Sequence, residues 1–143
     1  MPGVPKKRQD TIHRTAIEAV GGRVLLISPK RKMLRNLLDW YKLLKEQRNN
    51  AEAVYFNLYS LAWIFPIYLA KLFGYRVIVH AHNNDLQDCS KLQQLAHKIF
   101  VKTTKHMDVL RLTNSSLSSA FFFDNSTSEL IYNAIDTSRF QFN

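Results

Sequence analysis

The chain has 143 residues, which at roughly 100–200 residues per domain leaves room for one core and disfavours a two-domain enzyme with a complete interdomain active site. With 46% hydrophobic, 12% aromatic and 22% charged residues, and only 4 Gly and 4 Pro, it can bury a sizeable core and is neither disordered nor low-complexity. The 20 Lys and Arg against 11 Asp and Glu give a formal net charge of +9, which points to anionic surroundings such as nucleic acid, phospholipid headgroups or phosphorylated substrates.

Residues 1–10 are polar and basic, with no apolar signal-peptide core behind them. A helical stretch over 11–20 ends at Gly21 and Gly22, and the apolar run 24–27, bounded by Ser28 and Pro29, predicts a buried strand. Over 33–47, Leu34, Leu37, Leu38, Tyr41 and Leu44 recur at three- and four-residue steps, which predicts an amphipathic helix closed by Asn49 and Asn50. A second buried strand is expected at 53–56 and a helix over 60–73 with Gly74 at its C-cap; a third strand follows at 77–79. The apolar stretch 53–73 is broken by Asn57, Ser60 and Pro66, so a strand and a helix fit it better than a membrane span. A helix over 91–105 carries Leu92, Leu95, Ile99 and Lys102 on one partly apolar stripe, and 109–112 reads as a strand. Ser115 can cap a short helix bearing Phe121, Phe122 and Phe123, and the last strand is expected at 130–132.

Alternating helices and short strands, apolar on both faces, predict a Rossmann-like α/β fold with a doubly wound parallel sheet covered by helices on each side. Ligands in that class bind beyond the C-terminal ends of the strands, so the residues to inspect are Asn57, the segment 80–84, the segment 113–116 and the segment 133–136. The single cysteine, Cys89, excludes an intrachain disulfide framework and a four-thiolate zinc ribbon and fits a reducing compartment.

His80 and His82 leave the 77–79 strand and share a face if the chain stays extended. Two such imidazoles can act as acid and base, donate hydrogen bonds to a sugar hydroxyl or phosphate, bind a metal, or serve as ordinary structural histidines. A metal would need a third ligand; Asp85, Cys89 and His97 form no recognised spacing, and no metal is assigned. Asn133 and Asp136 flank small and apolar residues in a manner suited to a tight turn, and Ser115 reads on local grounds as a helix cap. The basic groups Lys6, Lys7, Arg8 and Lys30, Arg31, Lys32, Arg35 are solvated faces or anion-facing patches. No glycine-rich phosphate loop, nucleophile elbow, zinc spacing or paired-carboxylate motif is present in the sequence.

Several segments, in order, resemble the N-terminal, acceptor-side domain of GT-B glycosyltransferases of the family 4 type, particularly those of bacterial exopolysaccharide and capsule synthesis. The residues that carry the likeness are A-V-G-G-R-V at 19–24, V-Y-F-N at 54–57, V-I-V-H-A-H-N at 77–83, L-A-H-K at 95–98, the 114–123 helix, and L-I-Y-N-A-I-D-T-S-R-F at 130–140. The last is similar to the family's N-G-I-D-x-x-x-F stretch, with Ala134 in place of the commoner glycine.

The resemblance implies a partial glycosyltransferase domain over 1–143. An irregular start at 1–10 stands where the family has an opening strand and glycine-rich loop, 11–136 alternate helix and strand, and 137–143 begin the interdomain connection. It further implies that the nucleotide-sugar half is lacking, that the isolated chain is inactive, and that no cofactor is bound by the chain itself. His82 or His80 would act on the acceptor. Asn57, Asn83, Asn84 and Ser115 would line the cleft, and Asn133, Ile135 and Asp136 would lie at the domain junction. The implied partners are a lipid-linked saccharide acceptor, an anionic membrane surface on the cytoplasmic side and the missing donor-binding domain, with no nucleic acid. A separate reading is a non-enzymatic basic module that binds membrane or nucleic acid. Without the opening strand, a sheet edge is expected to stand unpaired and to favour aggregation.

Overall fold

The computed structural model describes residues 13–132 apart from positions 88 and 125. The basic start and the junction residues Asn133, Ile135 and Asp136 therefore lie outside the described residues. Within them the elements alternate: helix α1 (Arg14–Ala19), helix α2 (Met33–Gln47), strand β1 (Ala53–Leu58), helix α3 (Phe65–Leu72), strand β2 (Arg76–Ala81), helix α4 (Lys91–Thr104), strand β3 (Leu110–Thr113), helix α5 (Ser116–Phe123) and strand β4 (Glu129–Leu130). The four strands form one all-parallel sheet in the order β1-β2-β3-β4.

Spatial order equals chain order, and right-handed crossovers that always step the same way deliver every connecting helix to the same face. The core lies on that face. Val54 and Phe56 of β1 stand in register with Val77 and Val79 of β2, and these side chains pack with Ile64, Ile67 and Ala70 around α3, Val101 of α4, and Phe122 and Phe123 of α5. Trp40 brings α2 onto the same layer, its ring 5.7 Å from that of Phe56. Tyr55, Asn57, Ile78, His80 and Leu110 alternate onto the other face, where Tyr55 and Leu110 stay exposed. The parallel α/β sheet is thus as expected, while the second helical layer of a doubly wound sheet is not seen among the described residues.

Local chemistry sets the boundaries. Gly74 takes φ +81° after α3 and closes the helix with Tyr75 N–H to Ala70 O (3.0 Å) and Gly74 N–H to Lys71 O (2.9 Å), an end that a left-handed residue makes possible. Pro66, which lacks an N–H, sits in the first turn of α3, so the helix begins at Phe65 and residues 61–63 form a turn ahead of it. Ser90 and Gln93 form a reciprocal capping box at the start of α4.

Two expectations are overturned. The apolar run 24–27 is not a strand; it runs along α2, tied there by Ser28 N–H to Asp39 (2.9 Å) and Asn36 to Ser28 O (2.5 Å), with Leu25 49% and Leu26 53% exposed. A buried parallel strand needs a neighbour to pair with, and this run pairs with none of the described strands, lying along α2 instead. The Leu92, Leu95 and Ile99 stripe of α4 faces solvent, and the helix buries His97, Val101 and Thr104 instead. A histidine fully supplied with hydrogen bonds can take the inward position that side-chain hydropathy alone would give to leucine. No helix among the described residues is long and apolar enough to cross a membrane.

Candidate functional site

Parallel pairing brings all strand C-termini to one edge, and β2, flanked by β1 and β3, ends at its middle. His80 is in β2 and stands in register with Asn57 of β1. His82 lies just past the strand, but its N–H still donates to Leu58 O at 3.2 Å, so the backbone remains laddered to β1. The alternation that turns residues i and i+2 to one face therefore persists through both histidines. Their rings lie 4.0 Å apart, centroid to centroid, at 40°.

His80 is 7% exposed. Its Nδ1 is hydrogen-bonded to the Tyr55 hydroxyl, and the two rings meet edge to face at 5.8 Å. Nε2 of His80 and Nε2 of His82 are buried without a hydrogen-bond partner among the described residues. Burial pushes the pKa of His80 below its ordinary value, and charge on His82 pushes it the same way. Buried polar atoms are nearly always partnered in folded proteins, so two adjacent unpartnered nitrogens mark a place that suits a polar group from outside.

The other residues expected at this edge divide in role. Asn57 is exposed on β1 beside His80. Asn83 makes a turn: its Oδ1 accepts the Asn84 N–H (3.1 Å) and its Nδ2 donates to Asp85 O (2.5 Å). Asn84 lines a separate pocket of about 250 Å³ with Gln94, His97, Lys98 and Phe121. Ser115 is an N-cap, with extended backbone and its Oγ accepting the Ser118 N–H at 3.1 Å, as its local sequence predicts.

Tyr55 and Asn114 also belong to the site; Asn114 falls in the segment 113–116 that the sequence marks for inspection, whereas Tyr55 does not stand out in the sequence. Asn114 donates from Nδ2 to His82 O (3.5 Å) and accepts at Oδ1 from Ser118 Oγ (2.8 Å), linking the ends of β2 and β3 to the start of α5. The available signal for Tyr55 is a hydroxyl-bearing ring two positions before Asn57, on the same strand face. Asn114 is signalled by its place just after a strand.

His97 does not join the pair. Its Nδ1 accepts the Leu61 N–H (3.0 Å), its Nε2 donates to Phe121 O (3.2 Å), and its ring stacks on Phe121 at 4.4 Å. With both nitrogens engaged it has none left for a metal. Among the described residues no group of three His, Cys, Asp or Glu is placed to hold a metal ion.

No family model matches the chain, and no curated protein or solved structure is significantly similar to it. Function is therefore argued from this site. A larger cleft of about 690 Å³ lies away from it, between residues 25–29 and α2, with Lys32, Arg35, Asp39 and Lys42 in its lining. Hydrogen bonds from Ser28 hold the Asp39 carboxyl below its usual pKa, with smaller help from the charges of Arg35 and Lys42. That carboxylate is already engaged, and the cleft holds no buried polar atom lacking a partner among the described residues.

Proposed function

We propose that the chain is the acceptor-binding part of a sugar-transferring enzyme that acts on a lipid-linked saccharide at the cytoplasmic face of a bacterial membrane, with a nucleotide-sugar donor held by a separate domain. The observation that carries this reading is the His80 and His82 pair at the C-terminal end of the central strand, with both Nε2 atoms buried and unpartnered. The sheet edge is where this architecture places ligands. The order of short segments resembling GT-B transferases supplies the reaction class. In this role either imidazole is suited to hold or accept the proton of an acceptor hydroxyl.

The test is saturation-transfer NMR on the chain with a polyprenyl-linked saccharide in detergent-free nanodiscs. Transfer to the saccharide that weakens at least about fivefold in His82→Ala supports the reading, a loss on the scale of one hydrogen bond. No transfer to the saccharide refutes it, and turnover of a nucleotide-sugar by the chain alone refutes the need for a donor domain.

A second reading, a basic membrane-binding module, is favoured by the outer face of α2. Leu34, Leu38 and Tyr41 are exposed there at three- and four-residue steps, with Arg35, Lys42 and Lys45 on the same helix. An apolar stripe beside cations suits an anionic bilayer surface. Vesicle co-sedimentation that disappears as salt rises, combined with no saccharide binding, would establish this reading over the first.

A further inference from the structure

Tyr55 stands on the open sheet face one register step from His80, and its hydroxyl meets Nδ1 of that ring. A phenol hydroxyl has one hydrogen to give. When Nδ1 accepts that hydrogen, a neutral imidazole carries its own proton on Nε2. Nε2 of His80 is then a donor, and it is one of two adjacent ring nitrogens buried without a partner among the described residues. The other is Nε2 of His82, on a ring 4.0 Å away on the same strand face.

A second N–H aimed into the same gap would oppose the first, whereas a bare Nε2 complements it. Nδ1 of His82 is not among the buried unpartnered atoms, so it can carry the proton toward water. The gap then offers one donor and one acceptor side by side. A hydroxyl group both accepts and donates, and so satisfies both nitrogens with one oxygen. An ionised carboxylate only accepts, and would leave the second nitrogen unsatisfied.

We propose that Tyr55 is a positioning residue: it holds His80 in the Nε2–H tautomer and thereby makes the His80 and His82 pair a reader of a single neutral hydroxyl, such as one ring hydroxyl of a saccharide. The inference rests on the acceptor-site reading for its choice of ligand, while the role of Tyr55 rests on its contact with His80. Removal of His80 from water independently favours the neutral ring. His97 supplies an internal reference, since a backbone N–H at its Nδ1 and a carbonyl at its Nε2 fix the Nε2–H form by the same logic.

The experiment is long-range ¹H–¹⁵N correlation of the imidazoles in the full chain at neutral pH, for wild type and Tyr55→Phe, each titrated with methyl glucoside and separately with acetate. Expected in wild type are His80 and His97 as Nε2–H tautomers, His82 as Nδ1–H, and methyl glucoside shifting the Nε2 signals of His80 and His82. In Tyr55→Phe, His80 becomes a mixture of tautomers and methyl glucoside binds about five- to tenfold more weakly, the scale of one hydrogen bond, while His97 is unmoved. A wild-type His80 in the Nδ1–H form overturns the proposal without any variant, which keeps the test decisive if Tyr55→Phe misfolds. Shifts with acetate but not with methyl glucoside overturn it as well, as does an unchanged His80 tautomer in Tyr55→Phe. If methyl glucoside binds as described and the polyprenyl-linked saccharide does not, the transferase reading fails while the role of Tyr55 stands.

Discussion

His97 of α4 accepts the backbone N–H of Leu61 at 3.0 Å, so one buried imidazole fastens the turn before α3 to the helix that follows β2. The same ring donates to Phe121 O and stacks on Phe121, which draws α5 into the joint. The contact with Leu61 needs the neutral ring, because protonation would put a hydrogen on the nitrogen that must accept, whereas the bond to Phe121 O survives protonation.

That requirement sets a pH dependence. Burial lowers the pKa of His97 and of His80 below the ordinary 6.5. The unfolded chain therefore takes up protons first as pH falls. The stability contributed by the neutral rings is whole above pH 6.5 and is lost as the pH drops through 6.5 toward the folded-state values. Urea midpoints across pH 5–8 should decline on the acid side, and His97→Gln should flatten part of that decline. A midpoint independent of pH over that range would contradict the assignment.

Tyr75 is buried and its hydroxyl donates to Leu44 O at 2.6 Å, tying α2 to the residue just before β2. Tyr75→Phe should cost about 1 kcal/mol, with the Leu44 carbonyl left short of a partner. Burial also raises the phenol's pKa above 10.0, so its contribution is present below pH 10 and is lost as the pH rises through the folded-state value. Chemical denaturation at neutral pH measures the first effect. Loss of the alkaline destabilisation in the variant measures the second.

Gly74 has φ +81°, and a Cβ built there meets nothing within 4 Å. Gly74→Ala should therefore destabilise by about 1–2 kcal/mol through backbone strain alone. Gly74→Asn should recover part of this, because asparagine tolerates the left-handed region. Equal melting temperatures for alanine and glycine would show that this helix end relaxes to another conformation.

The outer edge of β1 is uncharged and carries no proline from Ala53 to Leu58. Arg76 N–H bonds to Glu52 O and His82 N–H to Leu58 O, so residues of that parity face β2 and the backbone groups of Ala53, Tyr55 and Asn57 point outward. No other described strand pairs with them. Ala53→Lys places a charge on this edge at an exposed position and should raise the concentration at which the chain aggregates, with the circular dichroism spectrum unchanged. If light scattering shows the same onset for both proteins, the edge is not the aggregation site.

Much of the fold can be read along the chain because its signals are local. The three- and four-residue steps of Leu34, Leu37, Leu38, Tyr41 and Leu44 place a helix although Leu34, Leu38 and Tyr41 stay exposed, and the glycine after α3 and the serine ahead of α5 likewise act within a few residues. The apolar strand around Val77 and Val79 needs only its own composition to be recognised. Hydropathy misleads at 24–27 and at Leu92, Leu95 and Ile99, because whether an apolar side chain is covered depends on which surfaces reach it. His80 and His82 are visible as a pair from strand alternation, yet their character depends on Tyr55, which lies 25 residues away along the chain from His80.

Alternation, periodicity and capping chemistry are enough to specify a parallel α/β sheet and to set two imidazoles at the end of its central strand, since these are short-range properties of backbone and side chain. Among the described residues, strand order, the one helical layer, the inward turn of His97 and the two partnerless Nε2 atoms follow from long-range pairing. Neither hydrogen-bond satisfaction nor exclusion from water is a property of a residue alone; each depends on what the folded chain brings alongside it.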